Sequence, residues 1–156
     1  MARYTVTLES AAAIAADTGF CWTRPIATVG HKLRRITVGL QVAGGGTPTN
    51  MQCQLGVARC TNAGTTPGGV ITPGKQDVQT NAAQTVVNTT YATPPTVVSP
   101  DLVKIPFNSQ AGADLPYEGD EYYAAPASVT DGFAFINRDN ALPANHKITL
   151  TLVFEE

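Results

Sequence analysis

Hydrophobic and polar residues alternate with period two along most of the chain, the signature of strands with one face packed and one face wet. In "RYTVTLE" (3–9), Tyr4, Val6 and Leu8 share one face and Arg3, Thr5, Thr7 and Glu9 the other. "HKITLTLVFE" (146–155) repeats the pattern, with Ile148, Leu150, Leu152 and Phe154 opposite Lys147, Thr149, Thr151 and Val153. "HKLRRITVGLQV" (31–42) sets Ile36, Val38, Leu40 and Val42 against Arg35, Thr37, Gly39 and Gln41. Strict alternation then carries Lys32 and Arg34 onto the apolar side, where they would snorkel at the rim. Further strands are predicted at "FCWTR" (20–24) and "MQCQLGVARC" (51–60), and at "DLVKIPF" (101–107), "GDEYYAA" (119–125) and "DGFAFIN" (131–137), the last three bounded by Gly, Pro or Asp. "SAAAIAAD" (10–17) is the one helix-like stretch. It is shorter than the ~12–15 residues an isolated helix needs, so an irregular connection or a single turn is expected.

About eight antiparallel strands in 156 residues predict one all-β domain over 1–156, an antiparallel β-sandwich of jelly-roll-like type. The strong first and last strands are expected to pair. One segment breaks the alternation. Across 62–100 the only charges are Lys75 and Asp77, and 18 residues are Thr, Pro or Gly. So long a loop is unusual in a compact domain. Its β-branched pairs, Val70-Ile71, Val86-Val87 and Val97-Val98, suggest that it lies on something, either its own sandwich or another subunit.

Composition narrows the function. Charged residues are 14% of the chain and the formal net charge is −2, which gives no drive toward nucleic acid or an anionic membrane. No apolar run is long enough to span a bilayer as a helix. The first residues lack an apolar signal core, so synthesis and folding in a cytoplasm are expected. Cys21, Cys53 and Cys60 are an odd set without metal-ligand spacing and read as buried small apolar side chains.

Each stretch that could carry chemistry has a plainer reading. "GGVITPGKQD" (69–78) has the G-x-x-x-x-G-K spacing of a phosphate loop, but Gln76 stands where Ser or Thr should hold magnesium. Pro73 also removes an N–H from the cradle and no helix is predicted to follow, so the stretch reads as turn chemistry. His31 and His146, each beside a lysine at a strand start, read as exposed caps rather than metal ligands. "DLPYEGDEYY" (114–123) lacks the alternation of a calcium loop and reads as a solvated acidic loop, with tyrosines suited to an interface. "HKLRR" (31–35) is the one basic cluster; it fits an acidic patch on a protein partner better than nucleic acid. Asn88-Thr89-Thr90 matches a glycosylation triplet that means little without secretion. No Ser/His/Asp arrangement can be assembled, so the chain reads as a non-enzyme.

Several stretches together resemble the small jelly-roll decoration, or cement, proteins of tailed bacteriophage heads. "RYTVTLESAAAIAADTGF" looks like their opening strand and Ala-rich step, and "LRRITVGLQV" like their first long core strand. "QCQLGVARC" with the following Gly/Thr/Pro excursion, and "GFAFINRDNALPANHKITLTLVFEE", are similar to their next strand and final hairpin. "FCWTR" and the acidic tyrosine loop have no counterpart.

The resemblance implies a homotrimer on the outer capsid surface that bridges major capsid subunits, with no cofactor, small-molecule substrate, nucleic acid or membrane. The residues expected at protein interfaces are Arg34, Arg35, Val70, Ile71, Val86, Val87, Tyr91, Tyr117, Tyr122 and Tyr123. The alternative expectation is a carbohydrate- or receptor-binding β-sandwich of a virion fibre, with Trp22 and the tyrosines 117, 122 and 123 stacking on sugar rings.

Overall fold

A computed structural model describes residues 1–118 and 123–156. Two antiparallel sheets face each other, and no helix is present among the described residues. The strands are β1 (Arg3–Glu9), β2 (Thr18–Arg24), β3 (His31–Val42), β4 (Gln52–Cys60), β5 (Thr65–Gly68), β6 (Gly74–Lys75), β7 (Val86–Asn88), β8 (Thr90–Thr93), β9 (Val97–Asn108), β10 (Ala113–Pro116), β11 (Tyr123–Ala125), β12 (Gly132–Asn137) and β13 (His146–Glu155). The first sheet runs β10-β3-β13-β1-β6, with β11 also on β3; the second runs β7-β2-β12-β4-β9; β5 and β8 form a separate ribbon.

Stripped of the short edge pieces, the first sheet is β1-β13-β3-β10/β11 and the second is β2-β12-β4-β9. Successive strands switch sheets except at the β4–β9 hairpin. This is the double Greek key of a jelly roll. β1 and β13 pair in register from Arg3↔Glu155 to Glu9↔Thr149, as the two strong terminal strands led one to expect.

The interior is filled by the alternating positions. Tyr4, Val6 and Leu8 meet Ile148, Leu150, Leu152 and Phe154 on one sheet, and Phe133, Phe135, Leu55 and Val57 close from the other. All six residues of β12 are buried because both of its faces are covered. Phe133 and Phe135 point into the sandwich. Ala134 and Ile136 join Trp22, Ala58 and Cys60 in a second apolar cluster, separate from the first.

β3 departs from strict alternation. Val153 pairs with Arg35 but Phe154 pairs with Leu33, leaving Arg34 without an opposite number. A bulge of this kind shifts the phase by one residue. Leu33 and His31 therefore enter the core, and Lys32 and Arg34 do not lie in line with the apolar face as alternation implied.

The segment 62–100 is not one loop. It carries β5 to β8 and the start of β9, and it folds back on its own sandwich. The β5–β8 ribbon places Tyr91 against the second apolar cluster. β7 then adds to the edge of β2, and β6 to the edge of β1. The acidic stretch is likewise partly a strand, since β10 begins at Ala113 and pairs Asp114 with Thr37. The 10–17 connection is irregular, with Ile14 buried beneath it.

A candidate interaction surface

The outer face of the first sheet is a hydroxyl-rich plane. Thr7, Thr151, Thr37 and Asp114 are successive register partners across β1, β13, β3 and β10. Thr7 and Thr151 share a 2.9 Å hydrogen bond, and the Thr37 hydroxyl donates to Asp114 at 2.7 Å. Beside this row, Gly39 forms the floor of a hollow of about 340 Å³ lined by Thr37, Thr149, Thr151 and Gln110. A Cβ added at Gly39 would meet nothing within 4 Å.

Charges on this face are paired. Lys147 donates to Glu9 at 3.2 Å. Arg35 holds Asp114 with two donors, which keeps that carboxyl at about 2. At the far end, Glu155 accepts from Arg3 at 2.7 Å and from Arg34 at 2.8 Å. Burial alone would raise the Glu155 carboxyl, but the two guanidinium groups outweigh it and hold it below the usual range. Arg3, Arg34, Arg35, Gln76, Tyr117 and Glu118 surround an open hollow of about 480 Å³ there.

The residues expected at interfaces fall into two groups. Arg34, Arg35, Tyr117 and Tyr123 lie near the arginine end of this sheet. Tyr117 and Tyr123 pack edge to face at 5.2 Å, and burial pushes the Tyr117 hydroxyl upward. Tyr122 lies outside the described residues. Val70, Ile71, Val86, Val87 and Tyr91 belong to the folded-back arm. Val70 is exposed, Ile71 bridges to Val87, Val86 pairs with Arg24, and Val87 is a fully buried core residue. What the pattern of letters did not disclose is the C-terminal clasp. The Glu156 carboxylate accepts from the Gln84 amide at 2.9 Å and the Thr85 amide at 2.6 Å, fastening the arm to the body.

The other candidates resolve as structure. Both histidines are buried, not exposed caps. His31 sits between Phe133 and Phe154, its Nε2 3.2 Å from the Thr23 hydroxyl. Burial lowers it to about 4. His146 accepts from the Thr49 amide through Nε2, which leaves Nδ1 to donate to the Ala144 carbonyl. The three cysteines are free and buried. Gly74 and Lys75 of the phosphate-loop look-alike are β6, an edge strand with no helix after it. Asn88 is fully buried, so it is no glycan acceptor in the folded chain. No group of three His, Cys, Asp or Glu suited to a metal occurs among the described residues.

No protein-family model and no curated protein matches the chain. Among solved structures, it is similar to a chain in the X-ray structure of tomato aspermy virus: 16% identity over 98% of this chain and 78% of that one, TM-score 0.31. It is also similar to a chain in the single-particle structure of maize chlorotic mottle virus: 8% identity over 97% and 92%, TM-score 0.21. Overlays this loose carry no argument, and jelly rolls serve many functions, so function rests on the chain's own surfaces.

Proposed function

We propose that the protein is a structural virion component, a homotrimeric cement protein that binds the outside of a phage head and ties neighbouring major capsid subunits together. It is made in the host cytoplasm, needs no cofactor and catalyses no reaction. The observation that carries this reading is the closed character of the sandwich. Its interior is packed by Phe133, Phe135 and Phe154, and the arm lays Tyr91 on the second apolar cluster and adds β6 and β7 to the edges of β1 and β2. What it offers a partner is the broad hydroxyl face of β1, β13 and β3, where Arg3, Arg34, Arg35 and Lys147 are already held in salt bridges by Glu155, Asp114 and Glu9. Such a face desolvates at lower cost than one with unpaired ions. A three-strand patch seven residues long covers about 330 Å², well under half the ~800 Å² per partner of a standard interface. Retention would then come from several copies acting together on a repeating shell.

The carbohydrate reading loses its main residue. Trp22 is 5% exposed beneath Tyr91, and Tyr117 and Tyr123 pack edge to face against each other. The test is binding of the purified protein to heads of the encoding phage prepared without it. Saturable binding at a fixed copy number per head is expected, abolished by Gly39→Arg. A folded protein that fails to bind such heads at any concentration sinks the proposal.

A further inference from the structure

β4 and β9 are adjacent antiparallel strands, with Cys60 opposite Val97. A turn of two to five residues would join them. The chain instead inserts everything from 61 to 96. The stems of this insertion are held together: the Thr61 amide donates to the Thr96 carbonyl at 3.1 Å, and the Asn62 side-chain oxygen accepts from the Thr96 and Gly64 amides. Next to the stem, Gly64 has φ +64°, and a Cβ there would fall within 3 Å of Thr93, Tyr91 and Pro95. The segment thus leaves and re-enters the body at one point, through a residue that must be glycine.

Beyond that point the arm has no core of its own. It is attached to the body by β6 on the edge of β1, β7 on the edge of β2, Val87 in the main core with Ile71 and Ala83 against it, Tyr91 on Trp22, the Tyr4 hydroxyl on the Asn81 carbonyl, and Glu156 on two amides. Every docking group is on the body and every docked group is on the arm. A second copy presents the same set, so exchange reproduces each contact and changes only the stem dihedrals.

We propose that in the assembled protein the arm, residues 64–93, docks on the body of a neighbouring copy, giving each subunit a partner's β6, β7 and Tyr91. The inference rests on the homotrimer reading and adds how the subunits are joined. Head-to-tail donation closes into a ring of three and leaves no arm undocked.

Thr5 and Gly74 are register partners across the first seam, and a Cβ at Gly74 meets only the Thr5 carbonyl, at 3.7 Å. The double variant Thr5→Cys/Gly74→Cys is oxidised in the native state and run on denaturing, non-reducing gels; Arg24→Cys/Val86→Cys repeats the test at the second seam. Expected are covalent dimers and trimers at both seams. Links that close only within single chains, in a protein of trimeric mass, overturn the exchange. If that protein still binds heads, the virion reading stands without it. A monomeric mass overturns the exchange and the trimer together.

Discussion

Arg138 grips Asp101 at two points, 2.9 and 2.6 Å, across the bare backbone of Gly56. A Cβ on Gly56 would lie 2.5 Å from Arg138 Cγ and 2.6 Å from Asp101 Oδ2, so the glycine is there to admit the pair. The Asp101 side chain is 3% exposed, and Arg138 also reaches Asp17 at 3.0 Å. Arg138→Leu strands the Asp101 carboxylate and should cost about 2–4 kcal/mol in urea unfolding. Gly56→Ala should cost nearly as much, by pushing the same pair apart. A wild-type midpoint for both would disprove the clamp.

His31 makes the fold acid-sensitive. Its pKa falls from 6.5 to about 4 on burial, so the native state favours the neutral ring. The unfolded chain binds the proton first. Stability from this group is therefore complete above pH 6.5, declines as pH falls toward 4, and changes no further below that. The loss amounts to about 3 kcal/mol over the window. Urea midpoints measured from pH 7 to pH 4 should show it, and His31→Leu should flatten that part of the curve. An unchanged slope would assign the acid sensitivity to the carboxylates instead.

Trp22 is the single tryptophan and reports on the arm directly. Tyr91 meets it edge-on at 5.2 Å. Tyr91→Ala should red-shift its emission and open it to acrylamide, at a stability cost of about 1–3 kcal/mol. Emission that stays blue would mean that the ribbon does not shield this face in solution.

Burial raises all three thiols, Cys60 up to about 12. A thiol reagent at pH 8 should find no reactive cysteine in the native protein and three after denaturation. Fast labelling of any one would contradict the packing around it.

Strands whose two faces differ in polarity were legible in the sequence. β1, β3 and β13 occupy the residues that alternation marks, because each has one packed and one wet face. The phase of β3 before Ile36 was not legible. A bulge is set by the partner strand, and nothing in "HKLRR" announces it. The histidines were misread for the same reason: a His beside a Lys looks exposed until the bulge or the 43–50 turn covers it. The arm's short strands were invisible because β6 and β7 exist only through the edges they lie on. The burial of Trp22 could have been suspected from "GFAFIN", whose small and apolar outward positions at Ala134 and Ile136 call for a cover.

The pairing of Ala2 with Glu156 has a mechanical consequence. β1 starts where β13 ends, so tension applied between the two termini would peel the strands apart one hydrogen bond at a time, the weakest way to load a sheet. Force spread through the flat faces meets all rungs of the ladder at once. A protein built this way resists being sheared along its surface far better than being pulled by its ends.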